Sequence, residues 1–286
     1  MQKIQRVLIV GAGTMGLQIG FQCAAHGCDV VVHDSSAAAL ARGPERVKAY
    51  ASEIEAAGAW DPARLSGGLQ RMNFVADLAD AARDVDLVSE SVPEDPKLKG
   101  EVFARLNRLC PAHTIFATNT STLVPSQFAR ATGRPSQLLA FHFHTPVWAS
   151  NVVDVMGHAG TSPEIVEAMR AFGERIGQVP IVLAKESGGY VFNAMLSALN
   201  REALTLAANG VATPEDVDRA WMGVMKTGIG PFGIMDLIGL DTVYTITDYW
   251  AKRLVVDRQL HKNAAFLKPF IEEGRLGRKT GRGIYA

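Results

Sequence analysis

The sequence predicts an α/β protein: a doubly wound parallel sheet at the N-terminal end, followed by an all-helical C-terminal domain. Three observations predict it. The apolar run Val7-Leu8-Ile9-Val10 stops at glycines placed at 11, 13 and 16. Strand-like runs then alternate with helix-period stretches as far as Leu183. Beyond Gly189 the apolar positions keep helical spacing with no convincing strand.

The first run reads as a buried parallel strand, since such strands are covered on both faces and need no alternation. The glycines follow it at G-x-G-x-x-G spacing, and each has its own task. Gly11 permits the tight turn, Gly13 lets a pyrophosphate approach the backbone, and Gly16 lets the next helix pack on the strand. That helix, expected over Thr14–His26, aims unpaired N–H groups and a positive dipole end at the phosphates. Gly11, Ala12, Gly13, Thr14, Met15 and Gly16 are therefore candidate cofactor-binding residues of a Rossmann-type domain. A second run, Val30-Val31-Val32, lies one βαβ unit further on and ends at His33-Asp34. Asp34 falls 23 residues after Gly11, where an acid accepts hydrogen bonds from the adenosine ribose hydroxyls. Its charge repels a 2′-phosphate, which favours NAD over NADP. An ordinary strand–turn–helix with Asp34 as a mere cap is the plainer alternative; the joint register of strand, helix start and acid speaks against it.

Further strands are expected at Phe74–Val75, Asp86–Ser89, Thr114–Ala117, Leu138–Phe143, Val152–Met156 and Val179–Leu183, with helices between most of them. Ala37 to Ala57 is long and Ala-rich, which predicts a helix extended beyond the sheet, one arm of a helical hairpin reaching Gln70. Thr213-Pro214-Glu215-Asp216 is a helix start: Thr at the N-cap, Pro in the first turn, acids at the positive dipole end. The texture changes after Lys185-Glu186-Ser187-Gly188-Gly189. This divides the chain into residues 1–185 and a helical domain over 186–286.

Bulk properties exclude several classes. The 286 residues suffice for two domains, and 48% hydrophobic with 20% charged is ordinary for a soluble globular protein. The 29 basic and 29 acidic side chains balance, which argues against a nucleic-acid or anionic-membrane partner held by bulk charge. Cys23, Cys28 and Cys110 show neither a C-x-x-C pair nor metal spacing, so they read as free thiols in a reducing compartment. The first strand begins at once, without signal-peptide texture, and no apolar run is long enough for a membrane span. The cytoplasm is the expected location.

Ligands of doubly wound sheets bind at the carboxyl ends of the strands. One such end carries Thr118-Asn119-Thr120-Ser121-Thr122, another carries His142-Phe143-His144-Thr145-Pro146, and Asp154 lies inside Val152-Val153-Asp154-Val155-Met156. An acid between valines is costly to bury unpaired, and a histidine is the economical partner. Such a dyad of His142 and Asp154 takes a proton from a hydroxyl near neutral pH, as alcohol oxidation requires. A structural histidine and an exposed edge acid are the alternative. Asn193, Ser197 and Asn200 form a polar stripe on the helix that opens the second domain, either facing solvent or closing a cleft over the nicotinamide.

Taken together, these residues resemble the L-3-hydroxyacyl-CoA dehydrogenase family almost end to end. The motifs are the fingerprint at 7–16, Glu90-Ser91-Val92-Pro93-Glu94-Asp95, Asn119-Thr120-Ser121-Thr122-Leu123, His142-Phe143 and Gly189-Tyr190-Val191-Phe192-Asn193. Gly230 to Asp241 and Gly277 to Tyr285 continue the match. The resemblance implies a helical dimerisation domain, hence a homodimer, and a place in fatty acid metabolism. It implies His142 as the proton-accepting base, Ser121 as a hydrogen-bond partner of the substrate hydroxyl and Asn193 as a substrate-orienting amide. It also implies that Glu94, Lys99 and Lys279 contact the cofactor. No metal is implied.

Three departures stand out. Asp154 occupies the place of the family's glutamate, one methylene shorter. His144-Thr145-Pro146-Val147-Trp148-Ala149-Ser150-Asn151 replaces the usual wall beside the nicotinamide and resembles the diketoreductase-type members, which reduce ketones without a CoA handle. Between Arg42 and Met72 the arm carries five bases against four acids rather than a lysine-rich surface.

The sequence therefore predicts an NAD-dependent dehydrogenase of a 3-hydroxy or 3-oxo acyl compound, with or without CoA. The hydroxyisobutyrate-type group shares the fingerprint but relies on a lysine in the first helix of its second domain. This chain has none between Lys185 and Lys226, which sets that rival aside. An NAD-binding scaffold without activity is the non-enzymatic alternative.

Overall fold

Val7–Val10 has only apolar side chains to place, and burial on both faces satisfies them all. In the computed structural model, which describes residues 3–253 and 257–285, this run lies near the middle of an eight-stranded sheet. The strands are β1 (Arg6–Val10), β2 (Asp29–His33), β3 (Met72–Phe74), β4 (Leu87–Glu90), β5 (Ile115–Thr118), β6 (Leu138–Phe143), β7 (Val152–Gly157) and β8 (Val179–Leu183). Their order is β3-β2-β1-β4-β5-β6-β7-β8. Every neighbouring pair is parallel except β6 and β7, which run antiparallel with His142 directly opposite Asp154. The eight expected strands are all present. The third begins earlier than expected, at Met72, because its pairing starts at Val30 opposite Met72.

Helices α1 (Thr14–Ala25), α2 (Ala37–Ala56), α3 (Pro62–Gln70), α4 (Leu78–Ala81), α5 (Pro96–Leu109) and α6 (Pro163–Arg175) connect them. One face of the sheet packs Leu17, Ile19, Val47, Leu65 and Phe172 from α1, α2, α3 and α6. The opposite face packs Leu78, Phe103 and Leu106 from α4 and α5. The long α2 and the shorter α3 form the expected hairpin; Ser36 caps the first and Asp61 the second.

Two glycines fix how α1 leaves β1. Gly11 has φ +113°, and a Cβ there would sit 2.7 Å from the Ser91 carbonyl oxygen. A Cβ on Gly16 would lie 1.9 Å from the Gly11 carbonyl oxygen, so the helix approaches the turn only because Gly16 has no side chain.

The chain divides into two compact units, Met1–Val191 and Phe192–Ala286. The second contains α7 (Phe192–Ala208), α8 (Pro214–Met225), α9 (Pro231–Ile238), α10 (Leu240–Arg253) and α11 (Arg258–Glu272), with no strand ladder among the described residues. Thr213 caps α8 by accepting from Asp216 N–H, as its sequence predicts. Asp218 is buried and accepts from the Phe232 and Gly233 N–H groups at 2.8 and 2.9 Å, which anchors the start of α9. Asp236 accepts from Ile284 and Tyr285 N–H, so the C-terminal segment folds back onto α9 instead of being a solvated tail. Phe232 and Leu240 lie fully inside this unit's own core. Leu237 remains 52% exposed, and Met195, Val224, Tyr249 and Trp250 join it on the surface.

Candidate active site

Strand β6 ends at Phe143, and the alternation of side chains along it sends His142 and His144 to the same side. The antiparallel register puts Asp154 of β7 across from His142. His142 Nδ1 lies 3.0 Å from Asp154 Oδ2, so the dyad expected from sequence is formed. Both members are buried, Asp154 at 1% exposure and His142 at 5%. The carboxylate has a further partner that sequence spacing does not reveal: His144 Nε2 lies 3.2 Å from the same Oδ2. Burial pushes the Asp154 carboxyl up, but hydrogen bonds and charge from the two imidazoles outweigh it and hold the group below its ordinary value.

Tyr190 completes the surroundings. Its ring stacks on His142 at 4.8 Å with 19° between planes, and its hydroxyl is buried without a protein partner. The backbone adopts φ +55° to place it there. The resemblance quoted Tyr190 only as part of a motif; its stacking on His142 has no sequence signal. Gln18 of α1 accepts from Val147 N–H at 3.0 Å and so ties the loop after His144 to the fingerprint helix.

The hydroxyl cluster after β5 is organised by Glu94. Its Oε1 accepts from the Ser121 and Thr122 N–H groups at 3.0 Å each, from Thr122 Oγ1 at 2.9 Å, and from the Thr120 hydroxyl. Burial raises the Glu94 carboxyl; these bonds and the Lys99 charge more than reverse that, leaving it below its ordinary value. Asn119 Oδ1 accepts from Phe143 N–H at 2.9 Å, which pins the end of β6 beside this loop. Ser121 is half-buried at its tip.

Lys99 lies deep at the end of β4. Its ammonium is enclosed, with the side chain 1% exposed, and binds Glu90 Oε1 at 2.7 Å and the Val92 carbonyl at 3.2 Å. Glu90 in turn accepts from Thr118 Oγ1 at 2.6 Å. Lys99 thus neutralises a fully buried acid at the end of β4, where an unpaired carboxylate would be prohibitively costly. Glu94 Oε2 lies 3.5 Å away, so the same ammonium also steadies the Ser121 loop.

The fingerprint loop fits a dinucleotide. A Cβ on Gly13 would meet nothing within 4 Å, so the backbone there is open to close approach. The start of α1 has no side-chain cap and no acid in its first turn, leaving its N–H groups to an anion. Ser91 Oγ, in the residue whose carbonyl faces Gly11, is buried without a protein partner. Asp34 stands at the end of β2, accepting from Ala12 N–H and Ser36 N–H at 2.7 Å each, so it shapes the loop and keeps lone pairs for ribose hydroxyls.

In the helical unit, Asn193 is half-buried in the first turn of α7, Ser197 is exposed, and Asn200 is buried with its Oδ1 unpartnered. Lys279 binds both oxygens of Asp241 at 2.6 and 2.8 Å.

A doubly wound sheet, a glycine fingerprint and an acid at the end of β2 define a dinucleotide-binding protein of the Rossmann class. Residues 6–187 match the 3-hydroxyacyl-CoA dehydrogenase NAD binding domain, and residues 189–286 match the 3-hydroxyacyl-CoA dehydrogenase C-terminal domain. The chain belongs to the 3-hydroxyacyl-CoA dehydrogenase family and is an NAD-dependent oxidoreductase acting on CH–OH groups. It is 34% identical over 281 residues to a probable 3-hydroxybutyryl-CoA dehydrogenase of Deinococcus radiodurans, covering 97% of this chain and 98% of that one. It is 32% identical to the human mitochondrial hydroxyacyl-coenzyme A dehydrogenase, covering 99% and 91% respectively. Among solved structures, a diketoreductase described as a dual catalyst of dicarbonyl compounds superimposes with a TM-score of 0.92 at 40% identity. It covers 100% of this chain and 99% of its own.

Among the described residues, no helix is long and apolar enough to cross a membrane.

Proposed function

We propose that the enzyme interconverts a 3-hydroxyacyl and a 3-oxoacyl compound, with His142 as the proton-transfer group, and that CoA adds little to substrate recognition. The observation that carries the chemistry is the buried His142–Asp154 pair. In the oxidising direction His142 Nε2 accepts the hydroxyl proton while Nδ1–H stays bonded to Asp154 Oδ2. The carboxylate stabilises the imidazolium that forms, and reduction returns the proton by the same route. Ser121 is assigned as the hydrogen-bond partner of the reacting oxygen, and the family likeness assigns Asn193 as a substrate-orienting amide. The fingerprint residues Gly11 to Gly16 and Asp34 hold the dinucleotide, whose nicotinamide supplies or accepts the hydride; Glu94, Lys99 and Lys279 are assigned supporting places there. Through Glu94, Lys99 fixes the loop that carries Ser121.

The arm supports the second half of the reading. Recognition of the CoA phosphates normally draws on arginine or lysine. Two of the arm's five bases already have partners: Arg46 binds the Ala12 carbonyl, Thr14 Oγ1 and Tyr50 OH, and Arg71 binds the Gly67 carbonyl. Trp148, in the loop after His144, packs against Tyr50 of α2 at 5.6 Å. The test compares acetoacetyl-CoA with a 3-oxo ester at saturating NADH. Agreement in kcat/KM within about tenfold, about 1.4 kcal/mol, is expected. A preference of about a thousandfold for the thioester, roughly 4 kcal/mol, would show that the arm grips the carrier.

The active form is assigned as a homodimer joined through the helical unit, supported by the exposed Met195, Val224, Leu237, Tyr249 and Trp250. The three buried free thiols support a cytoplasmic setting.

A further inference from the structure

We propose that His142, His144 and Asp154 form a binding site for a divalent transition-metal ion, best matched by Zn²⁺, and that occupancy of this site switches off proton transfer at His142. The proposal starts from the side chain that the reaction does not use. The dyad accounts for His142 and Asp154; nothing in hydride or proton transfer calls for a second imidazole on the same carboxylate oxygen.

Two histidines at i and i+2, carried past the end of β6, project to one side, and the acid comes from the strand paired with it. His142 Nδ1 and His144 Nε2 lie 3.0 and 3.2 Å from Asp154 Oδ2, and the three donor atoms are all within 4.8 Å of one another. Metal bonds of about 2.0–2.1 Å at tetrahedral angles separate neighbouring donors by about 3.3 Å. The two His–Asp distances are close to this, and the two imidazole nitrogens, within 4.8 Å of each other, must draw together as the ion enters. Two imidazole nitrogens and one carboxylate oxygen are a three-ligand zinc set with the fourth position open. They supply too few oxygens for Ca²⁺ or Mg²⁺. The Tyr190 ring stacked on His142 and the Asn119 bond to Phe143 N–H hold the ligands' backbone and plane, as outer contacts do in metal sites. His144, the most exposed of the three at 14%, lies on the open side.

The consequence follows from the single lone pair of a neutral imidazole. Proton transfer needs hydrogen on Nδ1, facing Asp154, and the lone pair on Nε2. A metal ion takes the lone pair at Nδ1, so the hydrogen resides on Nε2, and the ring becomes a donor where it must accept. No atom is gained or lost besides the ion; the tautomer alone changes. Metal binding and base function at His142 therefore exclude one another.

This inference rests on His142 as the base, and its test separates the two claims. Co²⁺ is titrated into the whole enzyme and followed by its ligand-field absorption, and Zn²⁺ by calorimetry, for the parent, His144→Gln and His144→Phe. NADH fluorescence titration checks that each variant is folded. One ion per chain is expected, with affinity weakened about tenfold or more in both variants. Zn²⁺ should abolish NADH oxidation by the parent without displacing NADH, and a chelator should restore it. No ligand-field bands in the parent, or equal metal affinity in the variants, would overturn the site and leave the dehydrogenase reading untouched. Full turnover with the site loaded would overturn the switch; continued turnover of His142→Ala would instead overturn the base assignment and leave the binding result standing.

Discussion

Replacing Asp154 with asparagine removes a charge while keeping shape. In the parent, one oxygen accepts from both imidazoles, at 3.0 Å from His142 and 3.2 Å from His144. The amide oxygen can stand where Oδ2 stood and accept from both imidazoles, but it carries no negative charge. The bond that matters most is the one to the imidazolium formed as the proton arrives. A hydrogen bond to a charged group contributes about 1.5–3 kcal/mol. Loss of the charge can remove up to that amount, a fall of as much as about 150-fold in kcat. NADH affinity should be unchanged, because Asp34 and the fingerprint loop are untouched. The assay is steady-state NADH oxidation with a 3-oxo ester, paired with an NADH fluorescence titration. A variant that turns over at the parent rate would refute the reasoning and make Asp154 a structural partner only.

Asp34→Ala should narrow the preference for NAD over NADP by removing the repulsion of a 2′-phosphate; equal catalytic efficiency with both cofactors in the parent would contradict the role of Asp34. Glu94 has a folded pKa below its ordinary value of 4.5, so its contribution to stability is complete above that value and fades as the pH falls through the lower one. The melting temperature of Glu94→Gln should accordingly lie below the parent's at neutral pH and approach it in acid, and a gap that does not change with pH would exclude an ionic role. Light scattering at micromolar concentration should give a dimer; a monomer would count against the helical unit as the subunit contact.

The fold was legible because its signals are local. Val7–Val10 and Val30–His33 are buried on both faces, so they advertise themselves as parallel strands, and Gly11, Gly13 and Gly16 occupy fixed offsets from the first. The His142–Asp154 pair was legible for a related reason: an acid between valines needs a partner. What escaped depends on register and on distant packing. The convergence of His144 on Asp154 requires β7 to run antiparallel to β6, which no short motif encodes. The Lys99 ammonium meets Glu90 because α5 returns its first turn to the end of β4. Likewise α9 and α10 bury Phe232 and Leu240 with Leu204 and Leu267, a packing between helices that no local pattern encodes. The place of Asp236 beneath the C-terminal segment, accepting from Ile284 and Tyr285, gives the final glycine-rich motif its physical purpose.

The central claim is that His142 moves the proton in a reaction whose hydride passes through the bound dinucleotide. A single-turnover experiment tests it most directly: enzyme preloaded with NADH is mixed with excess 3-oxo ester, and the decay of NADH absorbance is followed for the parent and His142→Ala. The decay should slow by about 10²–10⁴-fold in the variant while its NADH affinity stays that of the parent. Decay at the parent rate in His142→Ala would contradict the account.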